Sequence, residues 1–346
     1  MVYLFYVIIF IEGVIKMNIE KFCETYNFGS VKNIVKVTGG LVHKMFKVET
    51  DKGIYCIKVL NPSIMSRETA YSNFVTSEKI SNLAKKYGIP VSSALDIDGN
   101  YLTKFDNDYY MVFEFIPGNI LKDDEITIDH CKKIGDILAH LHSLKYEEIG
   151  LEPNFVKYKN VYDWEGYANN PNIDNMSYKE LYLKNYKDYY EMLKLANEKF
   201  NSSNILQTIC HRDMDPKNVL WNNNEPIIID WESSGMANPY RELLEDALCW
   251  SGFLSDNFDD EKFKSLFQEY MKYQKINNVD WASVIYGNLV GRFAWLKYNL
   301  ERSLGIVANE EEEIKLSQDQ VIRTIDEIKR YIELIEKMEE IINSLI

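Results

Sequence analysis

The chain has 346 residues, 46% of them hydrophobic and 27% charged, with 39 Lys and Arg against 53 Asp and Glu for a formal charge of −14. That length corresponds to about two domains of roughly 150 residues, and the composition excludes a disordered or fibrous chain. The acid excess argues against a nucleic-acid binder, which needs a basic stripe to displace phosphate counterions, and suits a cationic small ligand.

Five cysteines (Cys23, Cys56, Cys131, Cys210 and Cys249) are widely spaced and form no CxxC pair. Neither a zinc site nor a disulfide framework is expected, and the chain reads as cytoplasmic. Residues 2–15 are apolar, but Glu12 interrupts them and Lys16 comes too late for a signal peptide. The run also falls short of the about 20 residues a membrane span requires. We therefore expect Met17 to open the native protein, residues 1–16 to be an upstream extension, and no membrane association.

Strand-like alternation follows at Ile34–Thr38, Lys44–Glu49, Tyr55–Leu60 and Tyr109–Ile116, punctuated by Gly39-Gly40 and Asp51-Lys52-Gly53. One helical segment, about Arg67–Tyr87, is closed by Gly88 and Pro90. Beyond Pro117-Gly118 the spacing turns helical over 129–145, most of 176–200, 241–275 and 281–345, with a hairpin-like island at 219–230. The pattern predicts a small β-rich N-terminal lobe over 17–116 and a larger helical lobe over 117–346. The last helix carries isoleucines at 3–4 spacing, from Ile325 to Ile342. We expect it to pack on its own lobe, giving a monomer in preference to a coiled-coil dimer.

The densest polar information lies between Cys210 and Glu232. Val219–Trp221 and Pro226–Ile229 read as strands around Asn222-Asn223-Asn224, which places Asn218 and Asp230 symmetrically about residue 224 and facing each other. A carboxylate and an amide oxygen so placed suit Mg²⁺. An aspartate directly after three isoleucines also needs a compensating cation. Asp213, five residues before Asn218, stands where a general base for a substrate hydroxyl would be. Lys58 lies in a strand apolar on both faces and must be paired. Glu78, on the inward row of the first helix, is the expected partner, with Glu68 as the alternative. Gly39 and Gly40 could cover phosphates with their N–H groups. No dinucleotide-binding or P-loop glycine motif occurs.

In order, these pieces resemble the aminoglycoside phosphotransferase and choline kinase group of protein-kinase-like small-molecule phosphotransferases. The resemblance rests on His211-Arg-Asp-Met-Asp-Pro-Lys-Asn218 with Ile229-Asp230-Trp231, supported by Tyr55–Lys58, Lys86–Pro90, Phe113–Gly118 and Leu138–His142. It implies a two-lobed α+β fold with a small antiparallel sheet and one main helix in the first lobe. It also implies transfer of the γ-phosphate of ATP or GTP, with Mg²⁺. Lys58, paired with Glu78, would hold the α/β-phosphates, and the Glu114 carbonyl and Ile116 N–H would meet the base. Asp213 would act on the acceptor hydroxyl, Asn218 and Asp230 would bind the metal, and His211, His140 and His142 would be structural.

Arg212 and Asp215 depart from the small-molecule pattern. However, only 15 residues separate Asp230 from Asp246, too few for a peptide-docking activation segment, which disfavours a protein kinase. Eight tyrosines between 158 and 190, with Asp163 and Trp164 and the downstream Glu242 and Asp246, suggest a cationic acceptor. The stripe Tyr178, Tyr182, Tyr186 and Tyr189 could equally be core. An aminoglycoside-type acceptor is favoured over choline, homoserine or a sugar. A nucleotide-binding protein without turnover is the alternative from another class.

Overall fold

In the computed structural model the described residues are 15–37, 43–153, 161–200, 206–276, 278–307 and 311–346. Gly39, Gly40 and residues 1–14 lie outside them. The chain forms two compact units, one comprising residues through Ile120 with Lys217–Gly235, the other Leu121–Pro216 with Met236–Ile346.

The first unit is built on a five-stranded antiparallel sheet of β1 (Val31–Val37), β2 (Lys44–Thr50), β3 (Ile54–Val59), β4 (Thr103–Phe105) and β5 (Asp108–Glu114), in the order β1-β2-β3-β5-β4. Period-2 alternation assigns each side chain to a face. Phe46, Val48, Ile57, Val59, Tyr110 and Val112 form one face, buried under Ile19, Phe22 and Cys23 of a helix over 15–25, α1. Phe22 stacks on Tyr110 with ring centroids 4.7 Å apart. Each such buried large apolar side chain stabilises by about 1.5–3 kcal/mol. Ile15 and Lys16, expected to belong to an extension, lie in this helix.

The other face is set by the pairs Val35–Lys47, Val37–Met45, Met45–Lys58, Lys47–Cys56, Lys58–Met111 and Cys56–Phe113. Here Val35, Val37 and Ile54 stay 49%, 41% and 44% exposed.

After α2 (Pro62–Met65), helix α3 (Ala70–Lys86) ends as its sequence dictates. Gly88 takes φ +82°, and the Ile89 N–H returns to the Ala84 carbonyl. The chain then meets the hairpin of β7 (Val219–Asn222) and β8 (Glu225–Ile228). Ile228 N–H donates to the Pro90 carbonyl (2.8 Å), Ser92 N–H donates to the Ile228 carbonyl (2.9 Å), and Asn119 and Trp221 exchange two backbone bonds. These bonds put the hairpin in the first unit, whereas the sequence pattern assigns it to the lobe after residue 117.

The second unit is helical: α4 (Ile128–Leu141), α5 (Trp164–Ala168), α6 (Lys179–Lys199), α7 (Pro239–Trp250), α8 (Asp260–Tyr270), α9 (Trp281–Ser303) and α10 (Glu311–Leu345). Strand β6 (Thr208–Cys210) pairs with β9 (Gly235–Ala237), at whose Gly235 the chain leaves the first unit. Helices α4 and α8 approach so closely at Gly135 that a Cβ there would stand 2.4 Å from the Leu266 carbonyl. Helix α10 packs along α9, with Val321, Ile325, Ile328, Tyr331 and Ile342 buried. No helix among the described residues is long and apolar enough to cross a membrane.

Candidate active site

Strand β3 carries Lys58 into the interior, where it is 8% exposed. Its ammonium donates to Asp230 Oδ1 at 2.9 Å and to Glu232 Oε2 at 2.5 Å. Burial alone would lower the pKa of Lys58, but the two carboxylates outweigh it and hold the group above the ordinary lysine value. The expected Lys58–Glu78 pair is not made. Glu78 is buried on α3, and its Oε2 accepts from the Ala94 N–H (2.8 Å) and the Ser81 hydroxyl (3.1 Å). Burial raises its pKa, only partly offset by those bonds and by the Lys58 charge. Glu78 therefore staples α3 to the segment before β4, and Glu232 takes the place at Lys58 that the sequence reading gives to Glu78.

The carboxylates reach Lys58 because of the hairpin's geometry. Asn223 and Asn224 both take left-handed conformations (φ +50° and +66°), which makes a two-residue turn. Val219 pairs with Ile228, and Ile229 N–H donates to the Asn218 carbonyl at 3.0 Å. Asn218 thus faces Ile229, one residue away from the expected symmetry, and Asp230 is the first residue past the ladder. It turns left-handed (φ +60°, ψ +59°), leaving its strand, and Trp231–Ser233 form a single 3₁₀ turn against α3. The Asp230 and Glu232 side chains remain 40% and 30% exposed, while Asn218 is buried. These are hard oxygen donors, and the carboxylate pair already holds a cation in Lys58. The set fits a magnesium ion.

His43, at the entry to β2, is a member of this cluster. Its Nδ1 accepts from the Asn61 N–H (3.0 Å), and its Nε2 lies 3.4 Å from Glu232 Oε2. Burial first, and the neighbouring Lys58 charge second, push the pKa of His43 down to about 4, against a smaller opposing effect of Asp230. At the other end of the exposed sheet face, Phe115 N–H donates to the Ile54 carbonyl and Leu95 N–H to the Val112 carbonyl. Alternation in an antiparallel pair then turns the Glu114 backbone groups away from β3, along the edge that β4 leaves uncovered beyond Tyr110. The Lys47 ammonium sits 4.5 Å over the Phe115 ring at this end.

In the helical unit, Asp213 lies between two anchored neighbours. Arg212, itself left-handed at φ +69°, donates its N–H to Glu242 Oε1, and the Met214 carbonyl accepts from Trp250 Nε1 at 2.9 Å. Glu242 Oε2 accepts from His142 Nε2 at 2.7 Å, and His142 Nδ1 is 2.9 Å from the Tyr270 hydroxyl. Burial would raise the pKa of Glu242. The hydrogen bond and charge of His142 and the Arg212 N–H outweigh it, so the group stays below the ordinary value. Glu242, expected at an acceptor, is instead committed through both oxygens to bracing the loop that carries Asp213. His142 is bonded at both ring nitrogens, to Glu242 and to Tyr270.

Asp246 is 3% exposed, and its Oδ2 has no hydrogen-bond partner among the described residues. Burial, then Glu242, Glu245, Asp215 and Asp213, raise its pKa well above the ordinary carboxylate range. Asp163 accepts from the Gly166 N–H as the N-cap of α5. Trp164 is buried among Tyr162, Tyr167, Tyr189 and Phe293. Tyr178, Tyr182 and Tyr189 are buried too, with the Tyr182 hydroxyl donating to the Trp164 carbonyl. This part of the tyrosine stripe is core. Tyr158 lies outside the described residues.

The fold, a small antiparallel sheet unit followed by helices, with a buried lysine held by hairpin carboxylates, is that of kinase-like phosphotransferases. The chain belongs to the phosphotransferase enzyme family, whose model matches residues 33–284. Among solved structures it is similar to spectinomycin phosphotransferase in complex with ADP and spectinomycin, at 15% identity and a TM-score of 0.67, covering 91% of this chain and 98% of that one. It is also similar to amicoumacin kinase (12%, TM-score 0.56, 86% and 87% covered) and to choline kinase from Cryptosporidium parvum (16%, TM-score 0.55, 93% and 93% covered). No curated protein sequence matches the chain.

Proposed function

We infer that the protein transfers the γ-phosphoryl group of ATP or GTP to a hydroxyl of a small cationic molecule, with an aminoglycoside-type acceptor favoured. The observation that carries this reading is the Lys58–Asp230–Glu232 cluster, set on a sheet face whose Val35, Val37 and Ile54 stay exposed. A purine covering that face would remove apolar surface from water at about 25 cal/mol per Å². It could hydrogen-bond to the outward-turned Glu114 carbonyl and, in this reading, to the Ile116 N–H.

Asn218, Asp230 and Glu232 are the residues that would hold Mg²⁺, which supplies charge neutralisation for the phosphates. Lys58, released from the carboxylates it now holds, donates to phosphate oxygens. Asp213 accepts the proton of the acceptor hydroxyl as that oxygen bonds to the γ-phosphorus, and the bond to the bridging oxygen breaks to release the nucleoside diphosphate. The fixed Arg212 and Met214 backbone keeps the carboxylate from wandering, and such positioning is most of what this chemistry asks of a protein.

An amine-bearing acceptor is supported by the acids Asp213 and Asp215, both near enough to the buried Asp246 to raise its pKa. A quaternary ammonium cage built from Trp164, Tyr178, Tyr182 and Tyr189 is not supported, since all four are core. The test is nucleoside diphosphate release with Mg²⁺ and ATP or GTP over a panel of aminoglycosides, choline, ethanolamine, homoserine and sugars, with Asp213→Asn as the blank. Acceptor-dependent release that vanishes in the blank supports the reading. Nucleotide binding with no release for any acceptor contradicts it in favour of a non-catalytic nucleotide-binding protein.

A further inference from the structure

His43, just before β2, brings one polar side chain into the Lys58 cluster, hydrogen-bonded at Nδ1 and with Nε2 beside a carboxylate. His43 is 8% exposed, with the edge of Phe74 packed against it at a centroid distance of 5.6 Å. Its Nδ1 faces a backbone N–H, that of Asn61 at 3.0 Å, and an N–H can only donate. Nδ1 must therefore be the bare nitrogen, and the proton of the neutral ring sits on Nε2. Nε2 points to Glu232 Oε2 at 3.4 Å, the same oxygen that receives the Lys58 ammonium at 2.5 Å. One carboxylate oxygen is thus shared between a lysine from β3 and a histidine from the start of β2.

We propose that His43 is a positioning residue of the nucleotide site, fixing the Glu232 carboxylate so that Lys58 and the metal-holding oxygens keep their spacing when the phosphates arrive. The inference rests on the phosphotransferase reading above. Lys58 has two carboxylates to choose from, and both must change partners when a metal and phosphates bind. Glu232 lies within a single 3₁₀ turn, with its side chain 30% exposed. His43 gives its carboxylate a fixed neighbour from the start of β2. The imidazole is rigid, is anchored at Nδ1 by a main-chain donor, and is walled by Phe74. Its Nε2–H therefore has a fixed direction, as an orienting group requires.

Two substitutions separate this role from a purely structural one, because each retains one end of the ring. Asparagine reproduces the Nδ1 acceptor that serves Asn61, and glutamine reaches the Nε2 donor position that serves Glu232. The experiment is calorimetric titration of the full-length protein with a non-hydrolysable ATP or GTP analogue, with and without Mg²⁺, for wild type, His43→Asn, His43→Gln and His43→Ala.

The expected result is a Kd with Mg²⁺ weakened by about tenfold in His43→Ala and His43→Asn, which both lose the polar contact to Glu232. Binding without Mg²⁺ should change by less than about threefold, and His43→Gln should recover most of the loss. In a Glu232→Gln background the same His43 substitutions should have little further effect. Recovery by asparagine and not by glutamine would overturn the proposal, leaving His43 as a support for Asn61. So would a His43→Gln protein that is folded but as impaired as His43→Ala, or unchanged affinity in all three variants. A wild-type protein that binds neither analogue would instead overturn the phosphotransferase reading itself.

Discussion

Two clusters of charge in this protein are built from the same materials and behave in opposite ways. Around Lys58, two carboxylates hold one ammonium with His43 beside one of them, and the Asp230 and Glu232 side chains are 40% and 30% exposed. Around Glu242, one carboxylate is bonded to a histidine and a backbone N–H, with side-chain exposures of 1% for His142 and 4% for Glu242. The first can exchange its partners with incoming ligands at modest cost, because water already screens its acids. The second cannot, because removing any member leaves a buried charge without compensation. In the proposed function the first would take a cation and phosphates, and the second braces the loop that carries Asp213.

Substitutions can break that contrast. The largest effect is expected for Asp230→Ala, with phosphoryl transfer falling by about 10³-fold. The empty protein should melt within a few degrees of wild type, as read by calorimetry. A collapse of the fold instead would show that the Lys58 cluster is structural. Lys58→Met should lower kcat/KM by about 10²-fold, mainly by losing phosphate contacts, with a smaller effect on stability than any change at Glu242.

Glu242→Gln should show the reverse pattern: a loss of about 2–3 kcal/mol in urea unfolding, with nucleotide affinity nearly unchanged. Its pH dependence follows from the sign of the shift. Glu242 is held below its ordinary value of 4.5 in the folded protein, so its contribution is present above that pH and is lost as pH falls through the lowered pKa. Wild type should accordingly lose more stability than Glu242→Gln on acidification below about pH 4.5. Trp250→Phe removes the donor to the Met214 carbonyl while keeping most of the ring volume. It should cost about 1 kcal/mol and lower kcat by a few-fold at unchanged nucleotide Kd.

What was legible in the sequence was local. The alternation in Lys44–Glu49 and Tyr55–Leu60 placed Lys58 in a strand apolar on both faces, and Gly88-Ile89-Pro90 closed α3 close to where it ends. Asp230 stood out because an acid followed three isoleucines, and Asp213 because it lies five residues before Asn218 at the entry to the hairpin. What was not legible came from long-range closure. Lys58 and Glu232 are separated by 174 positions and meet only when the hairpin bonds to Pro90, Ser92 and Asn119. Nothing in the spacing of α3 could show that the Ala94 N–H would capture Glu78. The hairpin was misjudged by one residue because Asn222, Asn223 and Asn224 are all good turn formers, and only the left-handed pair fixes which two make the turn. Strand β4, three residues long, gave too little alternation to read. Tyr178, Tyr182 and Tyr189 could be cage or core from periodicity alone, and burial decides for core.

The most direct measurement is a single-turnover experiment on Asp213→Asn beside wild type, following transfer of labelled γ-phosphate to an acceptor found by the panel, with nucleotide affinity measured by calorimetry on the same samples. If Asp213 is the group that acts on the hydroxyl, nucleotide affinity will stay within about threefold while transfer falls by about 10²–10⁴-fold. Transfer at the wild-type rate in Asp213→Asn would contradict the account.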